Sequence, residues 1–413
     1  MRGHAATPLS MFDAAYGGGT QEVRPGQAWI ILAAAFAAMF SAFGIAYSYG
    51  AVVESLRADL GVGRAAGATL FSVASFAYFG LGGITGAAAD RFGPRRVLLV
   101  GALAMGAGLV VTAQADSIGV ALAGYGLGVG IAVACAYVPM LALVSGWYTK
   151  RRTFALGIAV TGIGLGTLAV PPAVAALVAE IGWRDTYRVL AAGGTAVLAG
   201  CAVVAQPPPP KDNGPGVRLR DALRMADYRR LYVSMLLLSL ALFVPFVHLP
   251  AYVQERGISP GLAALLIGAL GTGSVIGRLA LGVVAGCWLL RTYKACFAVM
   301  TLSFAVWAGA GGSYPMLLLF ASLLGVGYGG FVALSPAVVA ARFGVDRLGS
   351  VLGVLYTGAA LGSVAGPPLA GAAIDGAGHG AAIAGSLAFA AAALCVLVPF
   401  TPLPDDDPSH LPR

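Results

Sequence analysis

Of 413 residues, 59% are hydrophobic and only 10% are charged, with 60 glycines and a net charge of +8. Soluble domains carry roughly 25% charged residues, so this composition excludes an ordinary soluble domain and points to a chain folded in a bilayer. The positive balance then concerns which loops hold the charges and is not a footprint for nucleic acid.

Taken in order, the first 27 residues are polar and mixed, with no basic-then-apolar signal pattern, so the N-terminus is expected to stay in the cytosol. Twelve apolar runs long enough to cross a bilayer follow. The first six cover about 28–52, 65–89, 96–115, 118–146, 153–179 and 186–206, and the second six about 231–254, 261–289, 294–312, 315–340, 349–373 and 380–402. These make an N-terminal half over 28–206 and a C-terminal half over 231–402, with tails over 1–27 and 403–413. The linker, 207–230, opens with four prolines and holds Arg218, Arg220 and Arg224, the pattern of a short basic amphipathic helix on the membrane surface. With the N-terminus inside, inner segments hold 19 Lys and Arg, outer loops hold 5, and Arg278 lies within a span. That split satisfies the positive-inside rule and puts both termini on the cytoplasmic side of a multi-pass cytoplasmic-membrane protein.

The halves repeat. The sixteen residues from Thr161 in span five match the sixteen from Thr357 in span eleven at eight positions, at an offset of 196. Gly128-Val-Gly130 and Pro139 in span four recur as Gly325-Val-Gly327 and Pro336 in span ten.

Within the spans few groups carry chemistry. Arg278 is the single charge between Gly261 and Leu290, eleven residues from Leu289 and so ~16 Å deep. A lone guanidinium there costs ~2.5–3.5 kcal/mol on insertion scales. The residue four positions earlier is Ser274 and not a carboxylate. Arg278 is therefore tied to backbone carbonyls, or snorkels to an interface, or draws its counter-ion from solution as an anion site; the third reading is the sharpest. His248 lies in the outer half of span seven, where it either bonds a backbone carbonyl or serves as a gate or protonatable group. Tyr137, Tyr328 and Tyr356 sit well inside spans four, ten and eleven, as packing residues or cavity walls. The cysteines Cys135, Cys201, Cys287, Cys296 and Cys395 fall in apolar runs and read as small hydrophobes. Metal-ligand spacing, nucleotide-binding loops and nucleophile–base arrangements are absent, so no metal, cofactor or enzymatic activity is expected.

Two motifs carry a family resemblance. Gly86-Ala-Ala-Ala-Asp90-Arg91-Phe-Gly93-Pro-Arg95-Arg96, between spans two and three, is similar to the loop signature of the major facilitator superfamily. Gly86 lets two helices touch, Gly93-Pro94 turns the chain, and Asp90 is placed to pair with arginines at a neighbouring helix end. Its second-half counterpart, Gly282 to Gly286, has glycine where the aspartate would stand, so the latch should be asymmetric. Gly146-Trp-Tyr-Thr-Lys150-Arg151-Arg152, followed by Pro171-Pro172 and Gly182-Trp183-Arg184, resembles the monocarboxylate transporter family and its relatives, the oxalate–formate exchangers. Span one agrees through Ala42-Phe-Gly44-Ile-Ala-Tyr47-Ser-Tyr49-Gly50.

The resemblance implies an all-α membrane protein of twelve transmembrane helices in two six-helix bundles, with the substrate between the halves near the midplane. It puts Arg278 where that family binds substrate, with Tyr137, Tyr328 and Tyr356 shaping the pocket. The implied function is alternating-access transport of a small monocarboxylate such as lactate or pyruvate, with a proton as candidate coupling ion and a monomer as the working unit. Alternatives are an oxalate/formate-type exchanger, a drug or amphiphile exporter and, from another class, an acid-sensing receptor. Three family positions depart: Ala51, Ser274 and Ala359 stand where the relatives have a lysine, an aspartate and, in the oxalate exchangers, a lysine. Proton coupling and dicarboxylate binding therefore do not carry over directly.

Overall fold

A computed structural model describes residues 25–148, 152–208, 217–258, 260–285, 288–344 and 348–400. The chain ends, Lys150, Arg151, Lys211, Gly286, Cys287 and Asp405 to Asp407 lie outside the described residues. Every regular element described is helical. Ten helices are long and apolar enough to cross a membrane, and a bent pair makes an eleventh. One of the ten, Arg152–Val204, is two spans joined at Gly182, where φ of 76° breaks the helix, so the described residues make twelve spans.

Span one is Pro25–Tyr47 and Tyr49–Leu60, and span two is Arg64–Gly80 and Gly82–Phe92, bent by 43°. Spans three and four are Pro94–Ala113 and Ile118–Trp147, the latter with a π-helical stretch over Leu122–Val129. Spans five and six divide Arg152–Val204. The linker carries the expected short helix, Leu219–Arg224, and Val217 N–H donates to the Phe343 carbonyl at 3.0 Å, seating it on the end of span ten. Span seven is Ala226–Leu242 and Val244–Gln254, followed by Pro260–Val284, Leu289–Ala310, Tyr314–Phe343, Leu348–Ala377 and His379–Leu397 as spans eight to twelve.

The linker-side helix ends differ from the hydropathy reading. Span seven starts at Ala226 and span nine at Leu289, so Arg229, Arg230, Arg291 and Lys294 are helical and not loop residues. Apolarity ends before the helix does, because long basic side chains keep their heads in water while the backbone stays hydrogen-bonded. Lys294 donates to the carbonyls of Val398 and Phe400 beyond span twelve. Asp227, buried at the start of span seven, pairs with Arg342 at 2.6 Å and Arg230 at 3.2 Å. Span eight stops at Val284, six residues beyond Arg278.

The repeat is built into the packing. Gly162 and Gly166 seat span five on the carbonyls of Phe36 and Phe40 in span one. Gly358 and Gly362 seat span eleven on Tyr232 and Leu236 in span seven, every pair displaced by 196 residues. Small residues let these helices approach where lipid offers no hydrophobic drive. At the linker end the halves interlock: Gly82 and Gly86 lie against Gly353 and Gly349, and Gly157 lies against the Arg278 carbonyl. Ile84, Leu103 and Leu265 point outward as a lipid-facing surface requires.

Candidate functional site

Spans one and seven are each interrupted part-way along, at related places. Ser48 has φ −74° and ψ −5°, and Phe243 has φ −86° and ψ −10°. Phe43 and Tyr47 beside the first and Phe243 at the second line the space between the halves. The exposed backbone in span one is paired within the protein. Ser48 Oγ donates to the Ile45 carbonyl at 2.7 Å, and Tyr125 Oη donates to the Ala46 carbonyl at 2.6 Å.

Between the halves is a cavity with about 450 Å³ of empty space, part of it open to solvent. Phe43 and Tyr47 of span one, Phe79 of span two and Tyr137 of span four wall one side. Phe243 of span seven, Tyr328 and Phe331 of span ten and Tyr356 of span eleven wall the other. All three tyrosines expected at the pocket are there. Tyr137 Oη donates to Tyr356 Oη at 3.1 Å, a hydrogen bond between the halves. Ala359 also lines the cavity; Ala51 does not.

Arg278 lies behind this wall. Its residue surface is only 2% exposed, which excludes snorkelling. Its Cζ is 5.8 Å from the Tyr328 ring centre, and Tyr47 and Tyr137 are the other phenols nearest in charge interaction. Nε and Nη1 meet no acceptor from the protein, so backbone carbonyls do not hold them. Ser274 Oγ, one turn earlier, is likewise buried and unpaired. Room for the guanidinium comes from span five, since a Cβ at Gly164 would fall 2.5 Å from Nη1. Buried, charged donors left without partners cost several kcal/mol, so the site is set for an anion to supply the missing acceptors.

His248 has a partner: its Nε2 is 2.9 Å from the Pro367 carbonyl, tying span seven to span eleven within one half. Asp90 reaches across the halves. Its Oδ2 accepts from Ser350 N–H at 3.0 Å and Ser350 Oγ at 2.7 Å, at the start of span eleven, where a negative charge suits the helix N-terminus. Gly93 turns the chain with φ 87°; Arg91 lies over Phe92 at 5.1 Å, and Arg95 and Arg96 are exposed. At the matching crossing in the other half, Gly157 lies against Gly282 and the Arg278 carbonyl.

The remaining motif is a structural knot. Trp183 Nε1 donates to Asp59 at 3.2 Å, and Arg184 pairs with Asp59 at 3.0 Å and donates to the Ala115 carbonyl at 3.0 Å. Arg184 also stacks on Trp183, 4.3 Å from its ring. Three loops at the end opposite the linker are thereby tied together, away from the cavity. At the linker end, Arg152 Nε donates to the carbonyls of Ser145 and Tyr148. Sequence reasoning missed Phe79, Phe243, Phe331 and Gly164 as site residues; Phe43 and Tyr47 had a signal, inside the span-one pattern.

Comparison with known proteins agrees with this architecture. The family model described as Major Facilitator Superfamily matches residues 34–295 and 283–413. An MFS-type transporter 1 of Ophiocordyceps sp. is 27% identical over 356 residues, covering 84% of this chain and 78% of the relative. Monocarboxylate transporter 3 of Rattus norvegicus is 28% identical over 367 residues, covering 85% and 74%. The crystal structure of the human organic anion transporter MFSD10 (TETRAN) superposes with a TM-score of 0.69 at 18% identity, over 91% of this chain and 100% of that one. Two interlocked six-span halves and a family match across nearly all of them lead to one conclusion: the chain belongs to the Major Facilitator Superfamily, and within it aligns with monocarboxylate transporters.

Proposed function

We propose that the chain is a secondary transporter that carries a monocarboxylate through the cavity between its halves by alternating access. The observation that carries this reading is the Arg278 guanidinium, buried at the interface with Nε and Nη1 unpaired. A planar guanidinium with unpaired donors on both of its edges suits a carboxylate. Similarity to monocarboxylate transporters supports the same class. The halves, 28–206 and 231–402, act as the rocking units of a monomer. The linker end faces the cytoplasm, because that end gathers the Lys and Arg residues. A proton is the candidate coupling ion, with His248 as its candidate carrier.

A dicarboxylate exchanger is disfavoured by charge. Ala359 lines the cavity where the oxalate exchangers have a lysine, leaving Arg278 as the site's cation among the described residues. The test is uptake of labelled monocarboxylates into proteoliposomes of purified protein, with and without a pH gradient. Uptake above empty liposomes that unlabelled carboxylates inhibit is expected. Binding without net or exchange flux would instead favour a receptor.

A further inference from the structure

The cavity's walls speak to what is attached to the carboxylate. Eight aromatic side chains line it, and six of them touch one another in a belt running through both halves. Phe43 meets Tyr137 edge-on at 5.3 Å, Tyr137 meets Tyr356 at 5.2 Å, Tyr356 meets Phe79 at 6.5 Å, and Phe79 meets Phe243 at 6.3 Å. The few polar atoms in this wall are largely engaged with each other. Tyr137 bonds Tyr356, and the Tyr47 and Tyr78 hydroxyls stand 3.4 Å apart. Ser239 and Tyr328 supply the remaining lining hydroxyls.

A three-carbon acid leaves most of this wall without a partner. Its hydroxyl or keto oxygen would exchange water for phenyl rings, which costs free energy unless a hydrogen bond is made. A phenyl ring on the acid fits the same wall by edge-on and offset contacts, as aromatic rings prefer.

We infer that the substrate class is an aryl-bearing monocarboxylate. Its carboxylate is held at the Tyr328–Arg278 end, and its ring lies against Phe79, Phe243 and Tyr356. This rests on the monocarboxylate reading and narrows it. The rings nearest the ligand's ring come from both halves, so an aryl substrate also bridges the surfaces that must move together during occlusion.

The decisive pair of probes is 3-phenyllactate and lactate, which share the carboxylate and the 2-hydroxyl and differ by the phenyl group. Isothermal titration of the purified full chain should give 3-phenyllactate a Kd at least tenfold lower than lactate. Phe79→Leu and Phe243→Leu keep the walls apolar while removing a ring; each should narrow that ratio severalfold by weakening 3-phenyllactate more than lactate. Arg278→Ala should lower affinity for both acids alike. Equal or tighter binding of lactate by the wild-type protein overturns the aryl inference and leaves the monocarboxylate reading standing. Binding of neither acid, by a sample shown folded by its thermal transition, overturns both. A preference for 3-phenyllactate that both leucine variants keep in full, while folded, overturns the assignment of the ring to this wall.

Discussion

At the scale of single residues, Arg278 dominates because nothing else near the cavity carries a fixed charge among the described residues. Arg278→Ala should abolish transport while leaving expression and the thermal transition near wild type, since it removes an uncompensated buried charge. Arg278→Lys should retain little, because an ammonium lacks the planar fork. Wild-type uptake by the alanine variant would remove the anion-site reading. Ala359 tests the same charge matching from the other side of the cavity. Ala359→Lys should weaken monocarboxylate transport by repulsion with Arg278 and improve oxalate as a competitor of labelled uptake. A wild-type protein that already prefers oxalate would contradict the argument. For His248, Nε2 is held by the Pro367 carbonyl, which leaves Nδ1 as the nitrogen open to a proton. If it couples transport to protons, His248→Ala should flatten the pH dependence of uptake more than it lowers carboxylate affinity at fixed pH. An unchanged pH profile reduces His248 to a tether.

At the scale of elements, glycines decide which helices touch, and paired charges decide where helices end. Gly164 shows the first. Its missing side chain admits the Arg278 guanidinium into span five, so a substitution there acts on the site without touching substrate. Asp227 shows the second. It is 4% exposed and joins the starts of spans seven and ten's far end through Arg342 and Arg230. Arg342→Ala removes the shorter of those pairs and leaves a buried carboxylate under-compensated. The expected loss is up to ~3 kcal/mol of stability, with Arg230 retaining part of the compensation. A lowered thermal transition of the purified protein, with substrate affinity preserved, is the readout. An unshifted transition would mean that solvent reaches Asp227 freely.

At the scale of the whole molecule, the halves are closed at the linker end by glycine contacts and, among the described residues, by a charged cap, Asp90 on Ser350. The second half offers no aspartate at the matching place, so the charged part of the closure is one-sided. Hydrogen bonds to a charged acceptor contribute ~1.5–3 kcal/mol each. Losing that much moves a two-state equilibrium roughly 10–100-fold toward the state open at the linker end. Asp90→Ala should therefore lengthen spin-label distances between Arg96 and Arg291, both exposed at that end, and lower the rate of transport. An unaltered distance distribution would assign the closure to glycine packing alone.

Much of this molecule is written locally. Spans, the linker helix and the internal repeat follow from runs of apolar residues and matched glycines, because a bilayer requires each helix to satisfy its own backbone. Arg278 stands out for the same reason, as a charge in a run that otherwise has none. Helix phase is different. In lipid, outward and inward faces are both apolar, so no amphipathic stripe tells which of 15 tyrosines face the cavity. Tyr137, Tyr328 and Tyr356 were identifiable by depth, but Phe79 and Phe243 look like any lipid-facing ring until the halves are assembled. Only tertiary structure brings Asp90 to Ser350, 260 residues away, and Gly164 to Arg278. The helix ends were misjudged at Ala226 and Leu289 because hydropathy counts side chains, whereas a helix ends where its backbone finds other partners. Sequence by itself determined the spans, their repeat and the lone cation; the packing of one half on the other decided the cavity's walls, since the contacts that build them join residues no local pattern connects.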